Sequence, residues 1–478
     1  MITFFISVAA LIAGYFLYAR VSEKIFGINT SRATPATTMA DGVDYVPMPA
    51  WKIFLIQFLN IAGLGPIFGA VAGAMWGPVA FLWIVLGTIF AGGVHDYFSG
   101  MLSLKHKGES ISEVSGYYLG PAVKQVMRGF SVVLLVMVGV VFIVGPAQIL
   151  AGLTGSWGSV TFWITVIFIY YIIATILPID RVIGKVYPVF GFALLFMAVG
   201  ILVVMVGRQL PIPELTLASF SNLHTDADQF PVFPMLFITI ACGAISGFHA
   251  TQSPLMARCM TNEKQGRPIF FGAMVTEGII ALIWAAIAMS FYGGVGELNG
   301  VMTAQKGNAA YLVNEISNSL LGKIGGALAI LGVVAAPITS GDTAFRSARI
   351  VIADFIKLKQ GPLKNRFYIS LPLFAVGLLL TQVDFAIIWR YFAWTNQTLA
   401  TIVLWTITVY LIKEAKWFWI SLVPAVFMTA VVVSYILVAP EGFQLSLAVA
   451  YAAGIATALV LLTATLIWVF KRKTYALT

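Results

Sequence analysis

The sequence predicts an all-α polytopic membrane protein, and three observations carry that prediction. Hydrophobic residues make up 60% of the 478 and charged residues only 10%, with a mean hydropathy of +0.95. Soluble domains run nearer 25% charged, so an ordinary soluble enzyme, a disordered chain and a collagen-like fibre are excluded. The apolar residues fall in long continuous runs, of the roughly 20 residues that cross a bilayer as a helix. They do not fall in the alternating segments of about ten that build a transmembrane barrel. Finally, glycine and proline clusters interrupt two of the runs. The net charge of +9 arises from 28 Lys and Arg against 19 Asp and Glu. It reflects scarce acids, not a basic patch, so the expected partner is the lipid bilayer and not nucleic acid.

Taken in order, the runs predict about thirteen spans. Their approximate limits are 3–19, 52–76, 79–100, 127–150, 158–177, 188–207, 233–256, 268–292, 324–353, 367–383, 386–412, 417–438 and 444–470. The first lacks a basic leader and a small-residue cleavage site, and is read as a retained span. With the N-terminus outside, every Lys and Arg except Arg208, Lys306, Lys323 and Arg390 falls on the inner side. This bias places the C-terminus inside. The loop 208–232 is then outer, with Glu214, Asp226 and Asp228. Segment 308–322 reads as an outer amphipathic helix and 357–366 as a basic inner link. Cys242 and Cys259 give no disulfide framework and read as small buried apolar residues.

The interruptions lie near mid-membrane. One is Asn60 to Pro66, containing Gly63 and Gly65; the other is Gly243 to Pro254, containing Ser246, Gly247, His249, Thr251, Gln252 and Ser253. Irregular backbone at that depth is tolerated only where protein buries it or water reaches it. The interruptions are about five spans apart, so two five-helix units of opposite orientation would each open with a broken helix, as secondary transporters do. The resulting division is 1–51 (extra helix and inner loop), 52–207 (first repeat), 208–232 (outer loop), 233–412 (second repeat) and 413–478 (two further helices and an inner tail).

A half-helix that starts in mid-membrane presents free N–H groups and a positive dipole end. Pro66 suits a first helical position, and residues after Gly247 offer a second such end. With no Lys or Arg beside them, two such ends fit a small anion, most simply a carboxylate. Asn60, Ser246, Thr251, Gln252 and Ser253 would add neutral hydrogen bonds.

Ionisable groups inside spans are functional candidates because they are costly there. His249 lies in the second interruption and suits proton coupling. Glu277 stands about ten residues into its span without a charged neighbour, as a proton carrier or a packing acid. Asp342 follows Thr339 and Ser340; this group would hold Na⁺ or a proton, or Asp342 would pair with Arg346 one turn on. His95 and Asp96, near the inner end of the third span, read as a gate or an interfacial pair, and Asn396 and Gln397 as cavity-lining or cross-helix amides. Walker A and His-Glu-x-x-His patterns do not occur. No catalytic residue, resident metal or cofactor is expected; the coupling ion is a proton, with Na⁺ as the alternative.

Four stretches are similar to the carbon starvation protein A (CstA) family of bacterial inner-membrane transporters. They are Ile61 to Pro66 with Gly93 to Asp96, Phe237 to Ala250, Gly272 to Gly278, and Thr339 to Arg346. The resemblance implies a LeuT-like inverted-repeat core of the amino acid–polyamine–organocation superfamily and uptake of a carbon source under starvation. It implies short peptides, or pyruvate with a proton, as cargo. The anion argument prefers pyruvate. A peptide would also need an acid for its amino group, which Glu277 or Asp342 would supply. The reading from another class is a membrane sensor or channel without coupled transport.

Overall fold

The computed structural model describes residues 1–42, 44–176 and 179–475, and among them every regular element is helical. Nine of these helices are long and apolar enough to cross a membrane, and one bent pair makes a tenth. The protein is a multi-pass membrane protein. Three of the expected spans fall outside that set, among them 233–256, which is broken between Thr239 and Gly247. Span 158–177 is a helix of 17 residues, Val160–Ile176, and span 324–353 lies within Ala309–Ile356. The latter changes direction at Gly322, whose φ of 64° suits a residue without a Cβ.

The first helix, α1 (Ile2–Phe26), buries Phe4, Ser7, Leu11 and Gly14 and turns Ile6, Phe16 and Leu17 outward. That spacing of three and four is one helix face. Gly27 ends α1 in the left-handed region, φ 75°.

The first interrupted element consists of α2 (Ala50–Ile61) and α3 (Gly65–Trp76), bent by 52°. Behind it lies α4 (Val79–Lys105), which carries a widened turn at Gly87–Gly92. The second interrupted element leaves a short helix at Phe237–Thr239, runs irregularly, and resumes as α5 (Gly247–Ala257). Around these pack α6 (Glu263–Phe291), α7 (Ala309–Ile356) and α8 (Phe385–Lys413).

Close approach of the two interrupted elements is built from glycine. Gly65, Gly69 and Gly73 stand at four-residue intervals along α3. A Cβ on them would fall 2.3 Å from Cys242 Cβ, 2.9 Å from the Thr239 carbonyl oxygen and 2.3 Å from Ile240 Cγ1. Such a small-residue stripe replaces the hydrophobic drive that lipid does not supply. From the other side, α4 comes so near that a Cβ on Gly92 would lie 2.2 Å from the Ala244 oxygen.

Candidate functional site

The second interruption is shorter than the sequence suggests. Irregular backbone covers residues 240–246, and helix α5 already contains His249, Thr251, Gln252 and Pro254. The reason is a cap supplied from far along the chain. Asn396, on α8, accepts the Phe248 N–H at 2.7 Å and the Ser246 hydroxyl at 3.0 Å through one amide oxygen. The N-cap residue itself, Ser246, makes no cap hydrogen bond because its hydroxyl is turned to Asn396, and Asn396 takes its place.

Three carbonyls in and just before the interruption are satisfied by side chains. Trp83 Nε1 donates to the Ile240 oxygen at 3.0 Å, and Thr88 Oγ1 to the Gly243 oxygen at 2.9 Å. Gln397 Nε2 donates to the Phe237 oxygen at 3.3 Å. Buried backbone requires this accounting.

The first interruption is held by α7. Ser340 Oγ donates to the Leu59 oxygen at 2.8 Å, and Thr343 Oγ1 to Asn60 Oδ1 at 3.3 Å. Thr339 donates within its own helix, to the Ala336 oxygen at 2.7 Å. Asp342 is buried, with Oδ2 lacking a hydrogen-bond partner among the described residues, while Arg346 donates to the Ala174 oxygen at 3.0 Å.

Where the interruptions meet, four ionisable side chains form one chain of contacts. His95 Nδ1 lies 2.7 Å from Asp96 Oδ1, and Asp96 Oδ2 lies 2.8 Å from His249 Nδ1. His249 Nε2 then faces Glu277 Oε2 at 3.4 Å without a hydrogen bond between them. All four are 0% exposed. The sequence sets His95 and Asp96 near an inner helix end because the apolar run stops near residue 100. The helix itself continues through Lys105, which moves the pair into the bundle. Cys242 Sγ, a His249 ring nitrogen and a Glu277 oxygen lie within 4.8 Å of one another, the group of three metal-capable ligands among the described residues.

The two interrupted elements carry further buried polar groups. Gln57 and Asn60 share one face of α2; both Gln57 side-chain polar atoms and Asn60 Nδ2 are buried without a hydrogen bond among the described residues. Gln57 escapes a motif search, although its place three residues before Asn60 is the signal that finds it. Gly63 lies under Phe142, whose Cζ would be 2.7 Å from a Cβ, and Gly247 lies against the Asn396 backbone oxygen, 2.4 Å from a Cβ. Gln252 donates to Thr251 Oγ1 at 3.0 Å, and its Oε1 has no hydrogen-bond partner among the described residues.

Towards one end of the bundle, Thr251, Ser347 and Arg258 line a cavity of about 20 Å³, roughly one water molecule. Arg258 separates it from a polar vestibule of about 400 Å³ bordered by Tyr45, Glu109, Glu113 and Asp354. The Arg258 Nε–H donates to the Gly108 oxygen at 2.8 Å, and its guanidinium lies 5.0 Å over the Tyr45 ring.

Comparison with known proteins gives the same class of molecule. An uncharacterised membrane protein of Haemophilus influenzae is 45% identical over 351 residues, covering 64% of this chain and 95% of that one. The peptide transporter CstA of Campylobacter jejuni is 25% identical over 550 residues, covering 88% and 78%. The pyruvate/proton symporter BtsT of Escherichia coli is 26% identical over 347 residues, covering 59% and 48%. Among solved structures, a point mutant of the Eremococcus coleocola manganese transporter superposes with a TM-score of 0.50 at 12% identity, covering 90% of this chain and 98% of that one. That identity speaks for the fold alone. The profile of the family described as Carbon starvation protein CstA matches residues 1–167, 154–324 and 295–435. A match of that extent, on a helical membrane protein related along most of its length to named transporters, makes this chain a member of the CstA family.

Proposed function

We propose that this protein is a secondary active transporter that imports a small carboxylate nutrient, pyruvate, together with protons, by alternating access. It would do so across the bacterial cytoplasmic membrane during carbon starvation. The observation that carries this reading is the buried chain His95–Asp96–His249–Glu277 at the meeting of two interrupted helices. Ionisable groups are retained inside a membrane protein where they serve ions or protons. Alternating imidazoles and carboxylates within contact distance can take up and pass a proton.

In this reading the chain has thirteen spans, N-terminus outside and C-terminus inside. Spans two to six and seven to eleven form LeuT-like inverted repeats, opened by the two interrupted helices. The substrate carboxylate meets Asn60, Gly63 and Gly65 on one side and Ser246, Gly247, Thr251 and Gln252 on the other. The Gln57 and Asn60 amide nitrogens, without a hydrogen bond among the described residues, supply neutral donors suited to an anion. His249 and Glu277 carry the proton, and Asp96 with His95 holds the His249 ring. Thr339, Ser340 and Asp342 steady the first interruption or take a second ion, and Arg258 closes the cytoplasmic side.

A second reading, uptake of di- or tripeptides, is favoured by one observation. Glu277 is a buried carboxylate with neither oxygen hydrogen-bonded among the described residues, and it would pair with an amino group. The test is uptake by purified protein in proteoliposomes, of labelled pyruvate and of a labelled dipeptide, with and without an inward proton gradient. Gradient-dependent accumulation of pyruvate alone is expected. Accumulation of the dipeptide alone would replace the first reading with the second, and flux of either without accumulation would remove coupled transport.

A further inference from the structure

We propose that Cys242, His249 and Glu277 form a binding site for one thiophilic divalent cation of the zinc class. The three side chains come from the irregular segment 240–246, from α5 and from α6, so only the fold brings them together. Their ligand atoms lie within 4.8 Å of one another. A zinc ion holds sulfur at about 2.3 Å and nitrogen or oxygen at about 2.0–2.2 Å, which places ligand atoms roughly 3.3–3.6 Å apart. The His249 Nε2 to Glu277 Oε2 separation is already 3.4 Å. Closing the sulfur onto them requires a shift of about an ångström.

Two further features point to an ion. His249 Nε2 and both Glu277 oxygens are fully buried without a hydrogen bond among the described residues. Polar atoms left so in a protein interior are costly unless something fills the space between them. Then, Asp96 Oδ2 contacts the opposite ring nitrogen, Nδ1, at 2.8 Å. A carboxylate on the far nitrogen is the usual support of a metal-binding histidine, because it fixes the tautomer and aims the other lone pair at the ion. His95 extends this support by holding Asp96 Oδ1 at 2.7 Å.

The donor set chooses the ion. One sulfur, one imidazole nitrogen and one carboxylate suit zinc or cadmium, and not magnesium or calcium, which take oxygen. A thiolate and a carboxylate balance the two positive charges, the thiol proton leaving to bulk solvent as the sulfur binds. Without an ion Cys242 meets Ser246 Oγ and Asn396 Nδ2 at 3.6 Å each, both weak, and it already lies against the His249 ring. Three protein ligands leave a fourth position open, as in sites that exchange a ligand.

The experiment uses the full chain in detergent, stripped by chelator, dialysed and titrated with Cd²⁺ alone and Zn²⁺ alone. Calorimetry and the ultraviolet cadmium–thiolate charge-transfer band are followed together. One equivalent of ion with a thiolate band is expected. Cys242→Ser should abolish the band and weaken Zn²⁺ at least about tenfold, and Glu277→Gln should weaken it while keeping the band. Cys259→Ser should change neither, since Cys259 lies past the end of α5, donates to the Leu255 oxygen at 3.4 Å and does not belong to the three-ligand group. Absence of the band from the intact chain, its survival in Cys242→Ser, or its loss in Cys259→Ser would overturn the site. These readouts involve neither substrate nor gradient, so they are read independently of transport; a bound ion would occupy the His249 and Glu277 atoms assigned to the proton and exclude proton transfer while it is bound.

Discussion

His249 and Asp96 are 153 residues apart in sequence, and their side chains meet at 2.8 Å, Nδ1 to Oδ2. Each is 0% exposed. The contact ties the helix that resumes after the second interruption to α4, through one hydrogen bond in a medium of low dielectric. Such a bond is worth more there than in water, and its loss costs more.

Asp96→Asn tests the pair. The amide keeps the shape and one hydrogen bond but cannot balance a charged imidazole. Removing one partner of a buried charged pair costs about 3–5 kcal/mol, so charging His249 becomes unfavourable. Gradient-driven accumulation should fall to background, while exchange of external for internal substrate without a gradient persists. Intact accumulation in the variant would take Asp96 out of the coupling path.

Asn396 is expected to act on stability more than on chemistry. Its amide oxygen receives both the Phe248 N–H and the Ser246 hydroxyl. Asn396→Ala leaves a buried N–H unpaired at a helix start, at a cost of about 1–3 kcal/mol. The detergent-solubilised variant should unfold at a lower temperature than the parent. Asn396→Asp, which retains the acceptor, should recover most of the difference, and equal losses in the two would contradict the cap.

Two glycines on long helices should respond in opposite ways to alanine. At Gly92 a Cβ would sit 2.2 Å from the Ala244 backbone oxygen, which cannot rotate away. Overpacking of this kind costs about 1–3 kcal/mol or more. At Gly129 nothing lies within 4 Å. There alanine should be neutral or stabilising by up to about 1 kcal/mol through helix propensity. Folded yield by size-exclusion chromatography separates the two, and a well-behaved Gly92→Ala would mean that α4 and segment 240–246 are not in contact.

The two interruptions are legible in the sequence because Asn60 to Pro66 and Gly243 to Gly247 cannot continue an apolar helix cheaply. What lies beyond them is set at long range. Nothing local announces that Asn396 caps residue 248, so Thr251, Gln252 and Pro254 read as interruption although they are helical. Hydropathy marks where apolar residues stop and not where a helix stops, which is why His95 and Asp96 read as lying near an end. Cys242 reads as a small apolar residue because its neighbours His249 and Glu277 arrive from other elements. The stripe Gly65, Gly69, Gly73 was open to a spacing argument, since small residues four apart mark close helix contacts. Ser340 and Thr343 likewise share a helix face by their spacing, but that they grip Leu59 and Asn60 is information carried by packing alone.

Arg258 gives the last prediction, on access. It stands between a cavity of about 20 Å³ beside Thr251 and Ser347 and a vestibule of about 400 Å³. Its guanidinium is fixed from two directions, by donation to the Gly108 oxygen at 2.8 Å and by the Tyr45 ring at 5.0 Å. A hydrogen bond from a charged group contributes about 1.5–3 kcal/mol, so losing it should raise the open fraction of this end at least about tenfold. Ser347→Cys supplies a reporter below the arginine, buried at 4% exposure. Labelling from the vestibule side by a membrane-impermeant thiol reagent should be slow in that variant and at least about tenfold faster once Arg258→Ala is added. Tyr45→Ala should accelerate it less, because a cation–π contact at a wet mouth is worth only about 0.5–1 kcal/mol. Labelling rates indifferent to both changes would show that the path to the buried centre does not run past Arg258.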